Sequence, residues 1–484
     1  MHYHRCISEI QLEFASSHRL PYEKRWGDSS TSDPIERNLP NLPSGWSWAR
    51  LRSIASVEAG KTPSKEAFAD DGIPYFKMYN LRNQKIDFSF QPQYIKPEVH
   101  FGQLAKSRIR TGDLIMNIVG PPLGKLAIVP ESFPEANTNQ AAVVIRSYAD
   151  CIPIIWLFYY LSEMSEIDSV STRGSAGQVN ISVNQTRDML VAIPPLAEQR
   201  RIVEALDKYL ALVDEIEQAQ ADLDALFAQL KSKVLDLAIR GELTAQDPDD
   251  EPASVLLERI HAEKVAMVER GELKPKDIKG DTVIFAGSDG LRYEKPADGD
   301  GEERCIEDEI PFELPCGWSW ARLLTPVALD PKNIVDDEVE ASFLPMAAIE
   351  EGFRSVYHPE TRRWADIKQG FTQFADNDVV FAKISPCFEN GKYFIAKDLM
   401  NGIGAGTTEL FVLRSPSADF NRSYLFHFLA SDYFMGDAKK TFMGSVGQQR
   451  IKRDYLERML LPVPPAPEQA RIVDVIEEVL RPLK

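Results

Sequence analysis

The residues with the most obvious chemical potential fail, on spacing, to complete any catalytic set. Gly60-Lys61-Thr62 has the ending of a phosphate-cradling loop, but position 55, where that loop needs glycine, is Ala55. Asn117-Ile-Val-Gly-Pro-Pro122 lacks the aromatic residue that would follow the prolines in a loop holding a flipped base. No G-x-G-x-x-G, H-E-x-x-H or G-x-S-x-G occurs, and the seven histidines are scattered, with His2 and His4 in the N-terminal tail. The five cysteines, Cys6, Cys151, Cys305, Cys316 and Cys387, show no C-x-x-C spacing and are expected as reduced thiols. Nothing in the chain is expected to make or break a covalent bond or to hold a metal.

What remains is the chemistry of recognition. Segments 75–83 and 106–110 interleave aromatics, amides and cations through Lys77, Tyr79, Asn80, Arg82, Lys106, Arg108 and Arg110. The last three are expected on one side of an extended segment. Loops follow at Lys125, at Asn139 and over Arg173, Gln178 and Asn180. Further along come Arg362 and Arg363, then Lys383, Asn390 and Lys392, then Thr407 in a glycine-rich stretch, then Gln448, Arg450, Lys452 and Arg453. Arginine and lysine match guanine edges and phosphates, while asparagine and glutamine match adenine. Turns also favour asparagine and glycine for backbone reasons, so each of these residues has a purely structural reading beside the functional one.

The elements that must position these residues are duplicated. Leu42-Pro-Ser-Gly-Trp-Ser-Trp-Ala-Arg-Leu51 returns as Leu314-Pro-Cys-Gly-Trp-Ser-Trp-Ala-Arg-Leu323 at an offset of 272. Ser175-x-Gly177-Gln178 and Pro194-Pro195-x-x-Glu198-Gln199-x-Arg201-Ile202-Val203 return at an offset of 270. So steady an offset means a tandem copy of a whole domain, far longer than a solenoid repeat. Two copies that read different targets would share scaffold and differ in loops. Trp46, Trp48, Trp318 and Trp320 are therefore expected in packing, and the alike helix starts at Glu198, Arg201, Glu468 and Arg471 in packing or partner docking.

Between the copies the apolar positions Ile202, Leu206, Tyr209, Val213, Ile216, Leu223, Phe227, Leu230, Val234 and Leu237 step by four and three, with Gln220 the one polar member. That is a coiled-coil seam, and some 43 residues of helix make a rod of roughly 65 Å. A helix with one apolar stripe needs a partner, and the second copy restarts the pattern with Ile472, Ile476 and Leu480, so an antiparallel intramolecular pair is expected. The chain stops at Lys484, 17 residues into that second helix, which is short for the pair.

The expected layout is an N-terminal extension (1–38), a first recognition domain (39–195), the central helix (196–241), a short helix with an acidic, mobile linker (242–313), a second recognition domain (314–465) and a short distal helix (466–484). The fold class is α/β (α+β): two tandem globular domains separated by long coiled-coil-like helices. The net charge of −18 is concentrated in the connector, because 198–313 carries −15 while 42–190 carries +1 and 314–460 carries −2. Both domains are thus free to present basic faces locally. No apolar run is long enough to span a bilayer and no secretory signal is evident, so a cytoplasmic protein is expected.

The paired L-P-x-G-W-x-W-x-x-L openings, Ala59-Gly-Lys-Thr-Pro-Ser64, the helix start Ile193–Val203, and Ala238-Ile-Arg-Gly-Glu-Leu243 followed by Gln246-Asp-Pro resemble the specificity subunit of a type I restriction-modification system. The resemblance covers about Leu39 to Lys484. It implies a non-catalytic chain of a prokaryotic cytoplasm whose two domains each read half of a split double-stranded DNA site. It also implies docking of methyltransferase subunits, two of them, and of restriction subunits. S-adenosylmethionine, ATP and Mg would then belong to those partners, with no cofactor in this chain. The alternative is a non-catalytic protein–protein scaffold with duplicated domains on a coiled coil.

Overall fold

A computed structural model describes residues 41–120, 123–148, 152–163, 180–299, 301–444 and 448–481. The N-terminal extension, Arg173 and Gln178 lie outside the described residues. The chain divides into two compact units, 1–220 and 221–484.

In the first unit the strands are β1 (Ser47–Arg50), β2 (Ala55–Ala59), β3 (Phe68–Ala69), β4 (Ile73–Phe76), β5 (Leu81–Arg82), β6 (Lys85–Ile86), β7 (Tyr94–Ile95), β8 (Arg108–Arg110), β9 (Leu114–Asn117), β10 (Leu126–Ile128), β11 (Glu135–Thr138), β12 (Ala142–Ser147) and β13 (Leu190–Ile193). Helices α1 (Leu51–Ile54), α2 (Pro97–Phe101), α3 (Ile154–Glu163) and α4 (Val183–Asp188) are short, and α5 (Leu196–Arg240) is the long connector. One sheet has the order β10-β9-β12-β2 and a second β3-β7-β4-β11-β8, in which β4 and β11 run parallel.

The first sheet is buried on both faces, which is why its central strands are apolar without alternation. Leu114, Met116, Val143 and Ile145 point to a core shared with Trp156, Leu157 and Leu161 of α3. Their neighbours Ile115, Ala142 and Val144 point the other way, to a core shared with Phe76, Ile109 and Ala136 of the second sheet. The domain is therefore helix on sheet on sheet. Strand β1 pairs with β13, tying the beginning of the domain to its end.

The second unit repeats this plan. After α6 (Ala253–Glu269), α7 (Pro275–Ile278) and strands β14 (Thr282–Ala286), β15 (Arg292–Pro296) and β16 (Arg304–Cys305) come β17 (Ser319–Arg322), β18 (Ala328–Leu329), β19 (Glu340–Leu344), β20 (Glu360–Arg363), α8 (Trp364–Ile367), β21 (Thr372–Ala375), β22 (Val379–Ala382), β23 (Tyr393–Ile395), β24 (Ile403–Gly406), β25 (Leu410–Arg414), α9 (Arg422–Leu429), α10 (Asp432–Lys440), α11 (Arg453–Arg458), β26 (Leu460–Val463) and α12 (Ala466–Leu480). The orders β23-β22-β25-β18 and β20-β19-β24-β21, with β19 and β24 parallel, match the first domain strand for strand at their centres. Even the closing register repeats: Ser47 opposes Ile193, and Ser319 opposes Val463.

The expected mobile linker is instead folded. Strands β14, β15 and β16 form an antiparallel sheet, and the charges that read as a solvated run are internal partners. Lys264 is 0% exposed and donates to Asp281 Oδ1 at 2.6 Å and to the carbonyls of Leu324 and Thr325. Glu294 accepts from Arg322, from Arg304 and from the Thr282 hydroxyl.

Helix α5 runs unbroken for 45 residues. It ends in a Schellman turn: Glu242 N donates to Leu237 O, Gly241 N to Ala238 O, and Gly241 takes φ +70°. Its last turns bury Val234, Leu235, Ala238 and Ile239 in one core with Ile472, Val473, Ile476 and Leu480 of α12. Among the described residues α12 covers 15 residues, and Tyr209, Ile216, Leu223 and Leu230 of the expected seam are exposed.

Candidate nucleic-acid interface

In each domain, main-chain hydrogen bonds gather three separate segments at one end of the middle sheet. In the first domain Ile118, just after β9, donates from its amide to Ala141 O at 2.8 Å, and Ile181 N donates to Ile118 O at 2.8 Å. In the second, Lys383, just after β22, donates to Glu409 O at 2.9 Å, and Ile451 N donates to Lys383 O at 3.0 Å. Isolated bridges repeat as well, Val119 opposite Asn180 and Ile384 opposite Arg450. The frame is the same and the side chains on it are not. Ile118 stands where Lys383 does, Ala141 where Glu409 does, and Asn180 where Arg450 does.

In the second domain this cluster is ionic. Arg450 grips Glu409 through two bonds of 2.9 Å, and that hydrogen bonding holds the Glu409 carboxyl below the usual carboxylate range. The Lys383 ammonium lies 5.1 Å from the Phe411 ring. Burial raises the Asp330 carboxyl, against the pull of Lys383, Arg453 and Lys332. Gln448, Lys452 and Arg453 are exposed beside the cluster, Arg453 paired with Glu457 at 2.9 Å. Thr407 Oγ1 accepts from Glu409 N. Asn390 is exposed and donates to Glu351 at 3.0 Å. Arg362 and Arg363 lie on β20, an edge strand of the other sheet. Arg362 sits 3.8 Å from the Phe343 ring centroid, and Arg363 pairs with Glu338 and Asp366.

In the first domain the cluster is carried by amides. Asn139 and Asn180 each have a buried Oδ1 with no hydrogen-bond partner among the described residues. Lys125, half-buried, occupies the position that Lys392 has in the second domain, since Asn117 N donates to Lys125 O as Ala382 N does to Lys392 O. The pairing of Phe76 with Thr138 on parallel β4 and β11 brings Lys77 alongside Asn139. The Lys77 ammonium is about 6 Å from the rings of Phe68 and Tyr79, whose hydroxyl donates to Gln91 O. Arg82 is exposed over Phe90 at 4.5 Å. Arg108 and Arg110 share a face of β8, with Ile109 buried between them. Lys106 is exposed on the 3-10 turn before that strand, not in the strand. Arg108 pairs with Glu135 and lies 4.9 Å from the Phe101 ring. Desolvation works to raise Glu135, but hydrogen bonds from Arg108 and buried His100 outweigh it and hold the carboxyl low. Arg110 carries no such partner among the described residues and is exposed.

Several expected contact residues are occupied by the fold. Asn80 is 1% exposed; its Oδ1 accepts from Lys77 N, and its Nδ2 donates to Asp87 O and Phe90 O, so it closes its own loop. The Lys392 ammonium is capped by the carbonyls of Met346 and Ile349. Glu468, expected to dock a partner, is 1% exposed and accepts from Trp318, Thr244 and Gln246, while Arg471 pairs with Asp250 at 2.6 Å. Their equivalents Glu198 and Arg201 are half-buried and exposed. Trp318 and Trp320 are core residues, and Trp46 packs edge-on against Trp156. Gly60-Lys61 is a chain crossing rather than a phosphate loop. Lys61 N donates to Thr138 O, and a Cβ at Gly60 would lie 2.0 Å from Asn139 O.

One duplicated pair escaped the sequence reading. Buried Asp113 takes two bonds from Arg146 and one from Arg110 N; buried Asp378 takes two from Arg414 and one from Ala375 N. The available signal was a residue at positive φ, then aspartate, then an apolar run: Gly112-Asp113-Leu and Asn377-Asp378-Val.

The family model for the type I restriction modification DNA specificity domain matches residues 43–223 and 334–483. This chain belongs to that family. Among its relatives, the EcoEI specificity subunit of Escherichia coli is 40% identical over 253 residues, covering 52% of this chain and 39% of that one. The EcoAI specificity subunit of Escherichia coli is 42% identical over 246 residues, covering 51% and 38%. The chain thus spans about two fifths of the length of these relatives. A solved structure from work on complex assembly and conformational transition of the type I R-M system has the same fold, with a TM-score of 0.55, 19% identity and 92% of each chain covered. The two family matches fall on the two repeated domains and leave out 224–333, where the β14–β16 sheet lies. Among the described residues no helix is long and apolar enough to cross a membrane.

Proposed function

We propose that this chain is the DNA specificity subunit of a type I restriction-modification complex, each repeated domain reading one half of a split duplex site through its three-segment cluster. One observation carries the reading: the same main-chain frame holds buried Ile118 and Ala141 with half-buried Asn180 in one domain, and half-buried Lys383 and Glu409 with exposed Arg450 in the other. A scaffold held constant under side chains that differ is what two readers of different sequences require. Arg450 and Lys383 suit guanine and phosphate, and the amides of Asn139 and Asn180 suit adenine. Lys106 and Arg110 supply backbone charge contacts.

Helix α5 serves as a stiff spacer, so only duplex with the right separation engages both domains and gains the second, effectively intramolecular, contact. The chain is non-catalytic. Methyltransferase and restriction subunits supply the chemistry, with S-adenosylmethionine, ATP and Mg held by them. The complex acts in the cytoplasm.

The test is a duplex-DNA shift of the complex across a salt series. Binding should weaken steeply with salt, and reversing Lys106 and Arg110 should make the log–log slope shallower by roughly two. A slope unchanged by the reversal removes β8 from the interface. No shift of duplex at any salt favours the protein scaffold.

A further inference from the structure

One corner of the first domain holds an ionic network for which the second domain serves as a control. Glu135 on β11 opposes Arg110 on β8, and Asn137 opposes Arg108. His100 of α2 is buried over these residues. Asn137 Nδ2 donates to the carbonyls of Leu104 (3.2 Å) and Ser107 (3.0 Å), which turns its Oδ1 towards His100 Nδ1. His100 Nε2 then stands 3.0 Å from Glu135 Oε2, and Arg108 Nη2 donates to Glu135 Oε1. The Glu135 carboxylate is thus held at both oxygens, and it holds Arg108 in turn.

The second domain puts different residues on the same frame. The parallel pairs Asn137–Tyr75 and Ala405–Phe343 set the alignment. Gln373 then stands where Arg108 does, Ala405 where Asn137 does and Ile403 where Glu135 does. There Ile403 and Ala405 pack with Phe343, Trp364 and Ile367 in one apolar core. Gln373 is buried and bonded within the fold, its Nε2 to Lys368 O and its Oε1 to Asn333 N. The same corner therefore closes with hydrocarbon, and exchanging a buried ionic set for packed apolar groups is often neutral or stabilising. Stability alone does not account for His100, Glu135 and Arg108 standing together.

Arg108 itself is only partly satisfied. Its side chain is half-buried, its Nε is buried with no hydrogen-bond partner, and Nη1 has none among the described residues. The exposed Phe101 ring has its centroid 4.9 Å from the guanidinium carbon. A planar fork fixed by a carboxylate and flanked by a ring, with donors to spare, is preorganised for two acceptors in one plane. Guanine O6 and N7 are such a pair.

We propose that Arg108 reads a guanine in the half-site of the first domain and that Glu135 is its positioning residue. The assignment rests on the DNA reading above. Lys106 and Arg110 meet phosphates, and Arg108 meets a base edge.

The test is selection from duplexes of randomised sequence by the assembled complex, with the bound fraction sequenced. The parent should select a split motif with guanine in one half. Arg108→Lys and Arg108→Ala should each lower the preference at one guanine position roughly five- to 150-fold, because lysine keeps the charge but loses the fork. Glu135→Gln keeps the side-chain shape and frees the fork. It should lower the same preference by a smaller factor and leave the other positions unchanged, whereas structural damage would flatten all positions together. Arg108 and Glu135 are half-buried rather than core residues, and melting curves verify that the variants fold. Guanine preference retained by Arg108→Lys, or a loss spread evenly over the half-site, overturns the base contact. An unchanged profile for Glu135→Gln overturns the positioning role. No sequence selection by the parent would sink the DNA reading itself, so the two failures are told apart.

Discussion

At Arg450 and Lys383 the case for readout is one of accessibility against internal demand. Arg450 is exposed, donates to the Gln448 carbonyl and ion-pairs with half-exposed Glu409, an arrangement in which solvent screening leaves little net stabilisation. Exchanging Glu409 for a phosphate or a base edge therefore costs the fold little. Arg450→Ala is expected to leave thermal stability within about 0.5 kcal/mol and to lower affinity for one half-site by about 1–3 kcal/mol, roughly five- to 150-fold. Melting curves and half-site competition measure the two effects. Asp378 behaves in the opposite way. Its side chain is 1% exposed and it anchors Arg414, so Asp378→Ala should destabilise the second domain by about 3 kcal/mol in urea titration. Asp113→Ala should cost less, because the Arg146 side chain is 43% exposed, against 24% for Arg414, and can turn to water. The side chains proposed for readout were legible only as cations and amides in loops. Asn80, Lys392 and Glu468 have the same residue types, and only the burial created by distant segments shows that their bonds are already used.

Elements written as local periodicity were legible, and those made by long-range pairing were not. The four–three stepping along α5 and the two prolines before it predict its start and its length. The β14–β16 sheet was invisible, because β15 and β16 are short and charged, apolar β14 is only five residues within an acidic stretch, and the partners that fix it, Lys264 and Arg322, lie outside it. Its acid response follows from Glu294. Burial would raise that carboxyl, but the hydrogen bonds from Arg322, Thr282 and Arg304 outweigh burial and hold it at about 2, below its ordinary 4.5. A depressed carboxylate contributes stability above its unfolded value and loses it as pH falls through the folded one. The second unit should therefore lose about 3 kcal/mol between pH 4.5 and pH 2 from this group, and Glu309, lowered in the same network, adds to the loss. Urea midpoints of the parent and Glu294→Gln across that range test it. The variant should be less stable at neutral pH and less acid-sensitive, and parallel curves would refute the assignment.

For the molecule as a whole, the tandem copy was plain from one offset, and the three-layer architecture of each copy was not. Layering is set by which alternate residues of β9 and β22 face which core, and in strands buried on both sides no polar residue marks the face. The proposed division of labour predicts that replacing 43–190 with the matching domain of a relative changes one half of the recognised site and leaves the other intact. Methylome sequencing of a host carrying the exchange reads both halves at once. Loss of both would mean that the domains do not read independently.

The frame beneath each cluster is made of amides and carbonyls, which every residue except proline supplies in full. A point change at 180, or at 383, 409 and 450, therefore alters what is displayed without touching what holds the display together, whereas Ile118 and Ala141 are themselves buried. On the proposed function, such a chain can drift from one target to another through intermediates that remain folded, and a library randomised at those four positions should yield mostly soluble proteins.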